Sequence, residues 1–243
     1  MSEGYIISNE VLQKPAEKYW ISYLRQRIKR NKNFLGIIFG PPGIGKSWTC
    51  LSIAEQIDPH FSISQVVFTP QEFMRLMNSD KLQKGSVIVF EEAGVSMSNK
   101  NWHSAVNKMF NFVMQTFRHR NYIVLFNCPY TDFIDSSTRK LFHAEIEVRG
   151  IRVETAEAVL KPLLLQYNSQ KGKYYVKFLR VATAKGVRPV KTWAVQRPSQ
   201  NIIDMYEPLK AKFTARLNKS VNEDLAQIGK RERKVKKSKE NRV

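Results

Sequence analysis

Residues 40–47, with the sequence GPPGIGKS, constrain this chain more than any other segment. They place Gly40, Gly45, Lys46 and Ser47 in the spacing G-x-x-x-x-G-K-S. Glycines let the backbone curl so that consecutive N–H groups point at one anion, while the lysine adds a positive charge and the hydroxyl a metal ligand. The pattern therefore predicts a loop that binds the phosphates of a nucleotide together with Mg²⁺.

The segments on either side of this loop fit the same interpretation. Residues 33–39 form an apolar run typical of a buried strand, and residues 47–54 favour a helix whose positive end faces the phosphates. A glycine-rich turn that matches by chance is the alternative, but it would not require these neighbours. The predicted nucleotide-binding residues are Gly40, Pro41, Pro42, Gly43, Ile44, Gly45, Lys46, Ser47 and Trp48.

The 243 residues carry a net charge of +19, which indicates a polyanionic partner. Residues 230–243 contain eight Lys or Arg and two Glu, so the rest of the chain still carries +13. Nucleic acid is the first expectation and an anionic membrane the second. A basic helix predicted over residues 15–30 is either a contact surface or a solvated helix packed on the core.

Other features of the sequence favour a soluble cytoplasmic protein. The two cysteines, Cys50 and Cys128, fall in predicted core segments and are expected to be free thiols. The first residues do not resemble a signal peptide, and no apolar run approaches the ~18 residues of a membrane span.

Apolar periodicity beyond the loop alternates between strand and helix, which predicts an α/β fold with a mainly parallel sheet. Predicted strands cover residues 65–69, 86–90, 121–126 and 144–148, with helices over 70–77 and 102–119. A β-hairpin follows over residues 163–178, then a short strand at 192–195 and a helix over 202–228.

These elements suggest four segments along the chain. We expect a basic helical extension over residues 1–32 and a nucleotide-binding core over 33–155. A β-hairpin and helix appendage over 156–229 and a disordered basic tail over 230–243 would follow.

Two carboxylates, Glu91 and Glu92, follow the third core strand. The end of such a strand faces the nucleotide, so Glu91 is predicted to help hold Mg²⁺ and Glu92 to activate the attacking water as a general base. The order of the two residues alone assigns these roles. An acidic strand end exposed to solvent is the alternative.

Three further polar residues are candidates for the reaction. Asn127 ends the next strand, where its amide can sense the γ-phosphate or simply cap the strand. Arg118 and Arg120 precede that strand, and either could stabilise transition-state charge in a neighbouring subunit as an arginine finger. A helix-end cation or a contact to DNA phosphate would explain an arginine there equally well.

Together these residues resemble the additional-strand ATPases of the RecA-like class. Within that class the chain is similar to the FtsK–HerA group of DNA-pumping motors, which includes virus packaging ATPases and Zot-like proteins. The resemblance covers residues 33–150 and rests most on RHRNYIVLFNCP at 118–129 followed by Phe133-Ile134-Asp135. The chain departs from the group at Asn127, where Gln is usual, and at Glu91, where Asp is usual.

The resemblance implies a ring of subunits, usually six, with ATP sites between neighbours and double-stranded DNA threaded through the centre. It implies ATP hydrolysis with Mg²⁺, coupled to DNA translocation, packaging or transfer. An ATP-dependent switch that binds nucleic acid and turns over slowly, such as a helicase loader or partition regulator, is the alternative. A membrane-associated ATPase recruited through the basic tail is a third, less favoured hypothesis.

Overall fold

A computed structural model of the protein describes residues 5–6, 16–91, 109, 120–131, 136–184 and 186–240. The predicted helix over 102–119 lies outside these residues, except for Met109, which is helical and buried. Glu92 and Arg118 also lie outside them.

The described secondary structure follows the predicted alternation through the core. The helices are α1 (Ala16–Lys29), α2 (Lys46–Ile57), α3 (Pro70–Met77), α4 (Ser136–Arg139) and α5 (Gln200–Glu240), with a 3₁₀ turn at Ile63–Gln65. The strands are β1 (Tyr5–Ile6), β2 (Phe34–Phe39), β3 (Val66–Val67), β4 (Val87–Phe90), β5 (Ile123–Cys128), β6 (Ala144–Arg152), β7 (Glu157–Asn168), β8 (Lys173–Lys177), β9 (Leu179–Thr183), β10 (Gly186–Val190) and β11 (Trp193–Val195).

An eight-stranded sheet organises the fold, in the order β11-β7-β6-β2-β5-β4-β3, with β8 paired to β7. The five strands from β6 to β3 run parallel to one another, which confirms the predicted α/β class with a mainly parallel sheet. Strand β5 lies between β2, which leads into the phosphate loop, and β4, which ends before Glu91. The carboxyl ends of these three parallel strands therefore meet at one edge of the sheet.

The middle strands are buried on both faces, which is why their sequences read as continuous apolar runs. Every residue of β4 and β5 is buried. Four phenylalanines from different elements pack in contact on one side of the sheet, at ring-centroid distances of 5.2 to 6.4 Å: Phe73, Phe90, Phe126 and Phe142. Burying an aromatic or aliphatic side chain of this size contributes about 1.5–3 kcal/mol, so this cluster fixes the spacing of the strand ends that carry the site.

Local chemistry explains where α3 begins. Thr69 caps the helix by accepting a hydrogen bond from the Glu72 backbone N–H at 3.1 Å. The Glu72 carboxylate accepts from the Thr69 backbone N–H in return, and Pro70 occupies the first helical position. This reciprocal capping box satisfies N–H groups that the first turn of a helix leaves without partners.

Beyond the core, the structure differs from the sequence prediction in two places. Strand β7 pairs antiparallel with β6, so the sheet continues across the boundary predicted at 155/156. Strands β9 and β10 form a second, three-stranded sheet with β1 that the sequence did not predict. These strands have five residues or fewer and include Gly186 and Pro189, so their periodicity is too short to indicate a strand.

The chain divides into two compact units, Met1–Ile202 and Ile203–Val243. In the second unit α5 is helical to Glu240 and so includes most of the segment 230–243, for which the sequence predicts disorder. Residues 230–240 are mostly Lys, Arg and Glu without Gly or Pro, and these residue types have high helix propensity. None of the helices that the structure describes is long and apolar enough to cross a membrane.

Candidate nucleotide site

The phosphate loop has the backbone conformation that its glycines predict. Gly40, Gly43 and Gly45 have φ angles of 152°, 79° and 88°, in the region that side chains disfavour. A Cβ atom at position 40 would lie 2.8 Å from the carbonyl oxygen of Val148, a backbone atom of β6 that cannot easily move. The Gly40 N–H donates to the Pro129 carbonyl at 3.2 Å, which ties the loop to the end of β5.

Helix α2 starts immediately after the loop, with Gly45 at its N-cap. The Lys46 ammonium donates to the Pro41 carbonyl at 2.9 Å and so lies across the loop, close to where phosphates would bind. The next residue but one, Trp48, is 38% exposed beside the helix start. The helix dipole, the loop N–H groups and Lys46 all favour a negatively charged ligand here.

Ser47 and Glu91 are predicted to hold Mg²⁺, and the structure brings them together. The Ser47 hydroxyl donates to Glu91 Oε2 at 2.9 Å, although the two residues are 44 positions apart. Adjacent oxygen ligands of an octahedral Mg²⁺ lie about 3.0 Å apart, since each is about 2.1 Å from the ion. This pair of hard oxygen donors therefore fits Mg²⁺ in type and in separation.

Asn127 completes a cluster with these two residues. Its Nδ2 donates to Glu91 Oε2 at 2.8 Å and to Ser47 Oγ at 3.2 Å. The register of β4 and β5 pairs Phe90 with Phe126. The residues that follow this pair, Glu91 and Asn127, therefore lie side by side. Glu91 is fully buried and Asn127 is 3% exposed, so water screens these interactions little.

One atom of the cluster points to a missing hydrogen-bond donor. Asn127 Oδ1 is buried and has no hydrogen-bond partner within the described part of the chain. Buried polar atoms are nearly always paired, so a donor such as an ordered water is expected at this position. The amide can thus contact the metal ligands through Nδ2 and a water through Oδ1 at the same time.

The remaining predicted catalytic residues stand apart from this cluster or outside the described residues. The Arg120 guanidinium donates to the Met77 carbonyl at 2.9 Å, at the carboxyl end of α3. In this single chain it therefore caps a helix, and a role across a subunit interface stays a prediction. Glu92 and Arg118 lie outside the described residues, so their predicted roles also stay predictions.

The sequence analysis missed the residues that support the loop from β5 and β6. Besides Pro129 and Val148, Ile151 lies against the loop, with its Cδ1 3.1 Å from where a Gly45 Cβ would be. The predicted strand stopped at residue 148, whereas β6 continues to Arg152. The apolar Ile151, placed beyond Arg149 and Gly150, was the available signal that the strand goes on.

The thiol beside Asn127 is expected to be unreactive. Burial raises the pKa of Cys128 to about 12, against the smaller opposing effect of the positive Lys46. Both Cys50 and Cys128 are buried free thiols, as the sequence predicted. Cys128 is therefore part of the packing around the site and not a nucleophile at neutral pH.

Comparison with known proteins agrees with this geometry. Residues 37–149, just under half of the chain, match the family described as "ATPase family associated with various cellular activities (AAA)". This match spans the phosphate loop, Glu91 and Asn127, and with the sheet it identifies the core as that of a P-loop ATPase. No curated protein matches the chain.

Two solved structures share a general likeness with the protein. One is the N-terminal domain of zonular occludens toxin from Neisseria meningitidis, with 15% identity and a TM-score of 0.37, covering 60% of this chain and 94% of that one. The other is the FIGL-1 AAA domain in complex with ADP, with 16% identity and a TM-score of 0.38, covering 58% of this chain and 56% of that one. At these scores neither likeness bears on function.

Proposed function

We propose that this ATPase is a motor that hydrolyses ATP with Mg²⁺ to translocate, package or transfer double-stranded DNA. The cluster of Ser47, Glu91 and Asn127 carries the hydrolytic part of the proposal. It brings the start of α2 together with the ends of β4 and β5, and Glu91 and Asn127 are buried. The net charge of +19 supports a polyanionic substrate for the motor. The resemblance of residues 33–150 to the FtsK–HerA group supports DNA as that substrate.

The described residues have distinct tasks in this reaction. The loop N–H groups and Lys46 bind the phosphates, and Ser47 with Glu91 would hold Mg²⁺, which supplies charge neutralisation at the β- and γ-phosphates. Asn127 keeps Glu91 and Ser47 in place and directs its Oδ1 toward the water. We propose Glu92 as the base that takes the proton from that water.

An arginine from a neighbouring subunit would complete the site, and Arg120 or Arg118 is the candidate. This requires a closed ring of several copies, since each site then receives its arginine from the next subunit. The Arg120 side chain contacts the carboxyl end of α3 in the single chain. It can reach a neighbouring subunit only if its hydrogen bond to the Met77 carbonyl breaks on assembly. A hexamer is the assembly that the resemblance favours.

Steady-state ATP hydrolysis with and without duplex DNA tests the proposal. The wild-type protein should hydrolyse ATP faster when DNA is present, and both Lys46→Ala and Glu92→Gln should abolish the stimulated rate. Lys81→Ala, which removes an exposed lysine far from the loop in sequence, is the matched control and should behave as wild type.

Two other results would contradict the proposal, and each would favour one of the alternative functions. Tight ATP binding without turnover on any nucleic acid would favour the slow switch. Turnover stimulated by anionic vesicles and not by DNA would favour the membrane-associated ATPase.

A further inference from the structure

The positive charge of this protein is unevenly distributed along the chain. Residues 33–157, which contain the nucleotide site, have twelve Lys or Arg and twelve Asp or Glu, so the core is neutral. Residues 158–202 have nine Lys or Arg and no Asp or Glu. Almost half of the net charge therefore comes from a segment of 45 residues that directly follows the core.

This acid-free segment folds into β-structure and not into a tail. It includes most of β7 and all of β8, β9, β10 and β11. Strands β7 and β8 form one antiparallel hairpin, and β9 and β10 form another. The charges are consequently held on a fixed framework within the first unit of the chain.

Nearly all the described cations of the segment face solvent. Seven are exposed, and Lys161 is partly buried. The exposed cations are Lys171, Lys173, Lys177, Arg180, Arg188, Lys191 and Arg197. Within the described residues none of them takes part in an ion pair, in contrast to Arg139, which is bound to Glu145 in the core. Their charge is therefore free to act on a partner.

Strand β8 shows how the cations are presented. Lys173, Tyr175 and Lys177 alternate along the strand and so share one face, with the two lysines roughly 14 Å apart. Tyr175 between them is 40% exposed. On the other face Tyr174 packs on Tyr167, with ring centroids 5.1 Å apart, and this pair holds the hairpin together.

We infer that the two hairpins, β7–β8 and β9–β10, form the surface that binds the phosphate backbone of nucleic acid. Repeated exposed cations without neighbouring carboxylates fit a linear polyanion, whereas a folded acidic protein would also require specific packing. A membrane surface is less favoured because the exposed large apolar side chains in the described part of the two hairpins are only Tyr175, Val176 and Val187, too few for an extended apolar face. This inference rests on the proposed function for the identity of the polymer as DNA.

Binding of the full-length protein to a labelled DNA duplex, followed by fluorescence anisotropy over about 50 to 200 mM salt, tests the inference. The variant Lys171→Gln/Lys173→Gln/Arg188→Gln removes three charges from the two hairpins. Its affinity should fall, and the slope of log K against log salt should flatten by about 2 to 3, since each lost phosphate contact removes about 0.9.

A matched variant tests whether the location of the lost charges matters, and not only their number. Lys212→Gln/Arg216→Gln/Lys219→Gln removes three exposed charges from α5 and should leave affinity and slope near the wild-type values. Both variants should unfold at the wild-type temperature, because all six side chains are exposed.

The outcomes distinguish this inference from the proposed function. If the α5 variant loses as much affinity as the hairpin variant, or the hairpin variant loses none, the hairpins are not the binding surface, although the DNA motor still stands. If the wild-type protein binds no DNA at low salt, the proposed function fails. If it binds phosphatidylserine vesicles instead, and the hairpin variant does not, the surface exists but its partner is a membrane.

Discussion

Residues 33–157 and residues 158–202 contribute strands to the same sheet, yet they are built differently. The first region balances its charges, buries its middle strands on both faces and pairs its functional groups with one another, as Ser47, Glu91 and Asn127 do. The second region has no carboxylate and leaves seven cations in solvent. The first region is therefore suited to a site whose groups must keep a fixed geometry. The second is suited to a surface that needs only exposed charges close to a bound polymer.

This separation has a physical reason. Catalytic groups act through short, oriented contacts in a site with little water, so a surplus of nearby charge would disturb them. Contacts to a phosphate backbone tolerate variation in position and are screened by salt. Four predictions test the comparison, in order of decreasing expected effect.

Replacing the loop lysine should disable the first region and leave the second intact. Lys46→Ala removes the positive charge that lies over the loop, so hydrolysis should fall by about 10² to 10³-fold. Duplex DNA should still bind with near wild-type affinity, because residue 46 is in the neutral core. Turnover and anisotropy measured on one preparation check this, and a parallel loss of DNA binding would break the comparison.

Removing the Asn127 amide should have the next largest effect. Asn127→Asp replaces a donor 2.8 Å from Glu91 with a second carboxylate, which repels the first in a buried place. Hydrolysis should fall by roughly 10²-fold, and the unfolding temperature should drop more at high pH than at low pH. The effect on the unfolding temperature should be much smaller in Asn78→Asp, where the new carboxylate is exposed and meets only the dipole at the end of α3. Wild-type turnover in Asn127→Asp would exclude Asn127 from the site.

We expect His143 to make the stability of the core depend on pH. Burial, with a smaller effect of the nearby Arg27, lowers its pKa to about 3, and its Nδ1 accepts a hydrogen bond from the Leu35 N–H at 3.1 Å. Because the unfolded chain binds a proton at this residue near pH 6.5 and the folded chain does not, stability is full above that pH and declines as pH falls toward 3. Between about pH 7.5 and pH 5 the loss should be about 2 kcal/mol.

Urea unfolding at several pH values measures that loss. His143→Asn keeps an acceptor for Leu35 without a titrating ring, so its stability should be lower at neutral pH but depend less on pH. His60→Asn, at an exposed histidine, should retain the wild-type pH dependence. An unchanged pH dependence in His143→Asn would show that another group controls it.

The smallest effect concerns the two thiols. Cys128 and Cys50 are at most 1% exposed, and burial raises the pKa of Cys128 to about 12, so neither should react with iodoacetamide in the folded protein. Both should react in denaturant, as mass spectrometry would show. Rapid alkylation of one thiol in the native protein would mean that the core beside Asn127 opens more readily than its packing indicates.

The core and its site could be predicted from the sequence because local rules fix them. The phosphate loop needs positive φ angles at three positions, and glycine occupies each of them. The continuous apolar runs indicate strands that are buried on both faces. The approach of Glu91 to Ser47 also followed. Ser47 begins the helix after β2, Glu91 follows β4, and parallel strands of one sheet present their carboxyl ends at the same edge.

Other features depend on pairings distant in sequence. The sheet of β1, β9 and β10 pairs Tyr5 with Arg180, and strands of two and five residues have too little periodicity to indicate such a contact. The antiparallel addition of β7 to β6 differs, because it is a local hairpin that the predicted boundary at 155/156 divided. The contact of Arg120 with Met77 likewise requires that α3 end next to the start of β5. Sequence periodicity reports neither of these arrangements.

The most direct test of the whole account is the rate of ATP hydrolysis by the wild-type protein at saturating ATP, measured against DNA concentration at several salt concentrations. The account predicts a rate without DNA that changes little with salt, and a DNA concentration for half-maximal stimulation that rises steeply with salt. No stimulation at any salt, or stimulation whose DNA requirement is independent of salt, would contradict it.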